Sequence, residues 1–268
     1  MRNTIKSLSL GLGLLLATSS AHAQWGGYHE LGTTYSRTTP KGGTEQKVDL
    51  GGYSFLAISN KVSDKWSLSA DFYTTFTYIS AGEGDFDQSH GFLRVNAVEK
   101  GLNVLSGWES EARYRWVLPM AETTQGGFGT LQYRLGFTKK MEKFSFYWKP
   151  SVTIGLVDSG YQKLTTPGGT QKGNTLFSWG LELNPSYEIA KGWTVGGYTA
   201  LSQKYTGGAP GKDGALGDVS LYLEPDITLP IVAWLDTSLS VNTSTTLNGD
   251  FDIDFGALTY TFKIGKAF

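Results

Sequence analysis

Strict alternation of apolar and polar side chains over long segments is the feature that most limits what this chain can fold into. In residues 66–78, Trp, Leu, Ala and Phe on one face alternate with mostly Ser, Asp and Thr on the other. Residues 144–156 and 177–189 repeat the pattern. A period of two places alternate side chains on opposite faces of a β-strand, so the pattern predicts long amphipathic strands.

We predict twelve such strands, bounded by clusters of Gly, Asn, Asp and Pro. They span residues 25–37, 48–59, 66–80, 91–98, 103–117, 128–138, 144–157, 176–189, 193–206, 218–228, 232–245 and 253–268. Under this assignment, short connections such as 99–102 and 229–231 alternate with longer ones such as 158–175. An even strand number with tight periplasmic turns and long outer loops is typical of transmembrane barrels, so both chain ends are expected on the periplasmic side.

The apolar faces are expected to point outward, because one lumen cannot hold the Trp, Tyr and Phe of all twelve strands. A sheet in hydrocarbon leaves no open edge, so the strands are expected to close on themselves. The predicted fold class is all-β, a closed antiparallel transmembrane β-barrel of about 12 strands over residues 24–268. A secreted soluble β-sandwich shares the alternation and remains an alternative, although soluble strands usually have only about 5–6 residues.

The start of the chain indicates export. Arg2 and Lys6 flank an apolar run that begins at Leu8, and small residues follow at 21–23, so residues 1–23 are predicted to be a signal peptide. The sequence has no cysteine, which excludes disulfides, zinc–thiolate sites and thiol nucleophiles. No later segment has the roughly 18 apolar residues that a membrane helix needs.

Prolines interrupt three of the predicted strands. Pro150, Pro185 and Pro225 lie within six residues of the predicted periplasmic ends of their strands. Proline removes a ladder donor and is usually confined to edges or bulges, so we predict a level of bulges there.

Charged residues concentrate on the faces that are predicted to point inward. The basic ones on strands four to seven are Arg94, Arg113, Arg115, Arg134 and Lys149. The acidic ones are Glu109 and Glu111 beside them, and Glu182, Glu224, Asp226 and Asp236 on strands eight to eleven. A basic wall that faces a partly acidic one favours passage of polar or charged solutes, and arginine pairs with carboxylate or phosphate. Alternatively, the charges pair and fill the interior, Arg113 and Arg134 with Glu109 or Glu111, and Lys149 with Glu182.

The end of the chain carries a family resemblance. Residues 257–265 alternate strictly and lead to a terminal Phe268, although Lys266 occupies a position that is usually aromatic or apolar. An exported chain with such an end resembles the bacterial outer-membrane β-barrel (porin-like) class. The resemblance implies location in the bacterial outer membrane, contact with its bilayer and lipids, and recognition of the strand ending at Phe268 by the outer-membrane insertion machinery. Size, strand number and inward arginines are also similar to monomeric twelve-strand channels for acidic sugars, an analogy of architecture that does not determine function.

The function that these patterns favour is passive diffusion of small hydrophilic solutes, with some preference for anions, and no catalytic residue, cofactor or metal is expected. Without Arg2 and Lys6, 21 basic residues (23 minus 2) stand against 24 acidic ones, which is not the basic surface of a nucleic-acid-binding protein. One alternative is an outer-leaflet lipid hydrolase of the barrel type, which requires His29 or His90 to activate a serine or water. Another is a filled structural or adhesive barrel that acts through loops 158–175 and 207–217.

Overall fold

The computed structural model describes residues 24–38, 47–79, 87–119, 127–157, 161–162, 172–173, 175–207, 213–232, 235–247 and 257–267. The long strands are β1 (Gln24–Thr38), β2 (Lys47–Lys61), β3 (Trp66–Ile79), β4 (Asp87–Lys100), β5 (Glu109–Pro119), β6 (Gly127–Met141), β7 (Phe144–Val157), β8 (Thr175–Ala190), β9 (Trp193–Thr206), β10 (Ser220–Val232), β11 (Leu235–Thr246) and β12 (Ala257–Ala267). Short bridges pair Tyr161–Gln162 with Lys172–Gly173, and Ala215–Leu216 with β9. Within the described ranges, no helix has the length and apolarity to cross a membrane.

The long strands form one closed antiparallel ring. Each pairs with its neighbour in sequence, and β1 also pairs with β12, which joins the two ends of the sheet. The prediction of an all-β barrel of twelve antiparallel strands is therefore confirmed. The β-sandwich alternative is wrong, because a sandwich needs two packed sheets and these strands share a single one.

The strand boundaries differ from the prediction mainly around β4 and β5. Strand β4 is longer than predicted, and β5 begins at Glu109 instead of residue 103. Gly101 and Gly107 have φ values of 70° and 77°, a region that favours glycine, and they turn the chain out of the extended conformation. The connection 101–108 is consequently as long as several of the connections predicted to be long, so the expected alternation of short and long connections fails there.

The prolines interrupt the ladders but do not form the bulges that we predict from the sequence. Pro150 pairs normally with Leu181 of β8, but the ladder between β6 and β7 is open for two positions at Pro150 and resumes in the same register. The β8–β9 ladder at Pro185 and the β10–β11 ladder at Pro225 show the same interruption. The missing N–H therefore opens the ladder on one side without adding a residue.

Apolar side chains cover the outer face of the barrel. Along β5, Tyr114 and Trp116 are exposed, and Arg115 between them is buried. The same alternation exposes large apolar side chains on most other strands, among them Leu31, Ile58, Phe72, Leu131, Ile154, Trp179, Val195, Leu239 and Phe262. A band of this kind matches the lipid-facing surface of transmembrane barrels.

Polar side chains converge on the inner face. Ion pairs connect strands that are separated by a third strand: Asp71 with Arg115, Arg134 with Glu182, and Glu224 with Lys263. Side chains converge on the concave face of a closed sheet and diverge on the convex face, so these pairs span the interior. The distribution is the reverse of that in a soluble barrel.

Candidate functional site

Four arginines lie together on the inner face of β4, β5 and β6. Arg113 of β5 is directly opposite Arg134 of β6 in the ladder, and Arg115 is opposite Asn96 of β4. Arg94 follows on β4, opposite Asp71 of β3. Like charges in directly opposed positions destabilise a sheet, so stability alone does not account for this arrangement.

Asp71 is the acidic residue that organises one side of this cluster. Its Oδ2 lies 3.3 Å from Arg94 Nε and 4.0 Å from Arg115 Nη2. Asn96 donates from Nδ2 to the same oxygen at 3.0 Å and accepts from Arg115 Nε at 2.6 Å. Sequence reasoning did not include Asp71 in the site, although it lies on the polar face of the predicted third strand.

Two further carboxylates contact the other side of the cluster. Glu182 of β8 is bound by Lys149 Nζ and lies 3.5 Å from Arg134 Nη1. Arg113 Nη2 lies 3.2 Å from Glu111 Oε1. The Lys149–Glu182 and Arg113–Glu111 pairs weighed from the sequence are therefore present, whereas Arg134 pairs with Glu182 instead of Glu109 or Glu111.

The cluster keeps a surplus of positive charge. Its ion pairs join five basic side chains to three acidic ones, namely Asp71, Glu111 and Glu182. Within the described part of the chain, the buried Nε atoms of Arg113 and Arg134 have no hydrogen-bond partner, and that of Arg94 has only the ion-pair contact with Asp71. A buried donor without a partner costs about 1–3 kcal/mol, so this face suits water or an incoming anion.

The opposite wall contains Glu224 and Asp226, two of the four remaining predicted acidic residues. Glu224 Oε1 accepts from Ser240 at 2.6 Å and from Lys263 at 2.7 Å, and its Oε2 accepts from Tyr222 at 2.8 Å. Asp226 is partly buried two residues further along β10.

Two predicted acidic residues lie outside both groups. Glu109 is exposed at the start of β5, where it borders a polar cavity of about 540 Å³ together with Lys100 and Thr138. The backbone of Asp236 lies in β11, and its side chain lies outside the described residues.

A cavity of about 650 Å³ lies inside the barrel, between inner-face residues of β1–β4 and of β10–β12. Its lining rings are Tyr28, Tyr53, Phe55, Tyr73, Phe92 and Tyr222. The prediction that aromatic rings point outward therefore holds for many rings but not for these. Their positions share the inward parity of the charged residues, which is the signal in the sequence that would have identified them.

Two of the three histidines, His29 and His90, lie in strands that the structure describes. His29 lies on the exposed outer face of β1, with Nε2 3.3 Å from Ser54 Oγ. His90, which precedes the predicted strand 91–98, lies in β4 opposite Thr75, and its side chain is outside the described residues.

The sequence matches no family model and no curated protein. The structure is similar to solved outer-membrane channels. For an outer membrane channel from Pseudomonas putida F1 the TM-score is 0.62 at 11% identity, with 91% of this chain and 95% of that chain covered. For the NanC porin the TM-score is 0.55 at 9% identity, with 89% of this chain and 98% of that chain covered. At such low identity the likeness concerns the fold, and this chain has the closed-barrel fold of those channels.

Proposed function

We propose that this protein is a bacterial outer-membrane channel through which small hydrophilic solutes diffuse passively, with a preference for anions. The observation that carries the proposal is the surplus of positive charge, with unpartnered guanidinium donors, on the inner face of a closed barrel. Guanidinium groups bind carboxylates and phosphates through paired hydrogen bonds, so they suit solutes that carry these groups.

Insertion in the outer membrane is supported by the apolar outer face and by the fold shared with solved channels. The predicted signal peptide (residues 1–23) and the terminal Phe268 lie outside the described residues. Export by that peptide, recognition of the last strand by the insertion machinery, and a periplasmic position of both chain ends belong to the same proposal.

In this proposal, solutes pass between a basic wall and a more acidic one. The basic lining residues are Arg94, Arg113, Arg115, Arg134 and Lys149, and the acidic ones are Glu109, Glu111, Glu182, Glu224, Asp226 and Asp236. A passing anion exchanges places with the internal carboxylates at the basic wall, so each contact is replaced when the anion moves on. That exchange keeps binding weak enough for release.

Reconstitution in planar bilayers tests the proposal. We expect stepwise conductance and a reversal potential in a KCl gradient that indicates preference for chloride. The double variant Arg113→Ser/Arg134→Ser should lose most of this preference, whereas Lys65→Ser, which removes a charge from an exposed turn, should keep it. Absence of conductance from correctly folded protein, or unchanged selectivity in the double variant, would overturn the proposal.

The second candidate function is a filled structural or adhesive barrel, which the internal ion pairs favour. The cavity of about 650 Å³ argues against a solid interior. Two results together would support this second candidate. The folded protein would show no conductance, and deletion of residues 207–217 would abolish its adhesion to surfaces.

A further inference from the structure

The interior cavity presents the faces of several of its aromatic rings. Tyr73 lies 5.5 Å from Tyr53 with an interplanar angle of 30°, and 5.0 Å from Phe92 with an angle of 19°. These three rings form a nearly parallel row across β2, β3 and β4.

Glycines on the neighbouring strands let two tyrosine rings lie against the barrel wall. A Cβ on Gly32 would lie 2.1 Å from Tyr53 Cε1, and one on Gly265 would lie 2.1 Å from the Tyr28 hydroxyl. The hydroxyls of Tyr53 and Tyr28 both donate to the Glu30 carboxylate, at 2.6 and 2.8 Å. The glycine beneath each ring and the carboxylate at its tip orient the face of the ring toward the cavity.

A cation lies at the end of the ring row. The Arg94 guanidinium is 4.8 Å from the centroid of Phe92 and 5.4 Å from that of Phe55. Its Nε atom lies 3.3 Å from Asp71 Oδ2 and makes no hydrogen bond within the described ranges. An anionic group can therefore approach the same point at which a flat ring would meet the row.

The two carboxylates that line the cavity are occupied by neighbouring side chains. The lining also includes the polar residues Thr34, Asn242, Thr259 and Thr261. Both oxygens of Glu30 accept from tyrosines, and Glu224 accepts from Tyr222, Ser240 and Lys263. The carboxylates therefore have little capacity left to accept from the hydroxyl groups of a sugar. A flat aromatic ring needs only the ring faces that this cavity offers.

We propose that this cavity is a binding site for a planar aromatic ring that carries a carboxylate, with the ring stacked on the Tyr53–Tyr73–Phe92 row and the carboxylate paired with Arg94. The volume of about 650 Å³ lies in the range of sites that hold small molecules. The proposal names a preferred solute for the channel function above, and it rests on that function for its physiological meaning.

Titration calorimetry on the detergent-solubilised protein tests the site without depending on conductance. The probes are benzoate, cyclohexanecarboxylate (the same charge on a puckered, more hydrophobic ring) and glucuronate. Because stacking of aromatic pairs is worth about 0.5–1.5 kcal/mol, we expect benzoate to bind on the order of fivefold more tightly than cyclohexanecarboxylate. Glucuronate should bind more weakly than benzoate.

Matched variants on one strand locate the effect. Tyr73→Leu removes the central ring of the row, and Phe72→Leu removes the adjacent ring, which is exposed on the outer face. The benzoate preference should disappear in Tyr73→Leu and persist in Phe72→Leu. If Tyr73→Leu does not fold, Phe92→Leu takes its place.

The outcomes separate this proposal from the channel function. Equal binding of benzoate and cyclohexanecarboxylate, or tighter binding of glucuronate than of benzoate, overturns the aromatic site whether or not the protein conducts ions. Loss of conductance with the benzoate preference intact overturns the channel function alone.

Discussion

Asp71 is the residue whose removal should disturb the interior most. Its carboxylate contacts Arg94, Arg115 and Asn96, and its side chain is nearly buried. Asp71→Asn leaves two arginines without their counter-charge, so we expect a loss of about 3 kcal/mol in the free energy of unfolding and a stronger preference for chloride. Urea unfolding in detergent and reversal potentials measure the two effects.

The control for this variant is Asp64→Asn. Asp64 is fully exposed in the turn 62–65, where the Lys61 ammonium at 2.8 Å holds the pKa of its carboxyl below the ordinary value. Surface pairs contribute little, so both measurements should stay unchanged. Equal behaviour of the two variants would show that Asp71 does not organise the arginines.

The exposed contact between His29 and Ser54 gives the lipid hydrolase alternative a definite test. A serine nucleophile needs a histidine whose other ring nitrogen is held by a third group. Within the described residues, the hydrogen-bond contact of His29 is with Ser54 alone. We therefore expect the purified protein to release no fatty acid from phospholipid, and His29→Ala and Ser54→Ala to conduct like the wild type. Lipid release that both substitutions abolish would contradict this expectation.

At the residue scale, parity in the sequence identifies inner-face charges but not their partners. The inward positions of Arg113 and Arg115 follow from the alternation with Tyr114 and Trp116. The contact of Asp71 with Arg115 across β4 depends on the curvature and register of three strands. The sequence of a single strand contains neither this curvature nor this register, so it does not identify Asp71 as part of the arginine cluster.

At the scale of the strand, Gly155 sets how closely β7 and β8 approach. A Cβ at this position would lie 2.0 Å from the backbone oxygen of Thr175, and a backbone atom cannot rotate away. We expect Gly155→Ala to lower the free energy of unfolding by about 1–3 kcal/mol, because the two strands must separate locally. At Gly197 the nearest atom is 3.5 Å away, so Gly197→Ala should have a much smaller effect in the same urea titration. Equal midpoints for the two variants would contradict this account.

The strands at 66–78, 144–156 and 177–189 were predictable because the two-residue period continues in each over about a dozen residues. The residue at which β5 begins could not be predicted, because it depends on the positive φ of Gly101 and Gly107. Hydrophobic alternation gives no information about this backbone property. The prolines follow the same logic. The sequence shows that an N–H is missing at Pro150, but only the ladder shows that the register continues past it.

At the scale of the whole molecule, the selectivity of the proposed channel should come from the field of the inner wall. The basic surplus of Arg94, Arg113, Arg115, Arg134 and Lys149 acts across an aqueous lumen, where dissolved ions screen it. The Debye length falls from about 10 Å at 0.1 M salt to about 3 Å at 1 M, so the preference for chloride should be several-fold weaker at 1 M. The variant Arg113→Ser/Arg134→Ser should show little change between the two salt concentrations. Reversal potentials at a fixed tenfold KCl gradient, centred on each concentration, measure the effect. A preference that is the same at both concentrations would mean that the lumen selects ions by size or by direct contact, and the field of the arginine wall would then have no part in it.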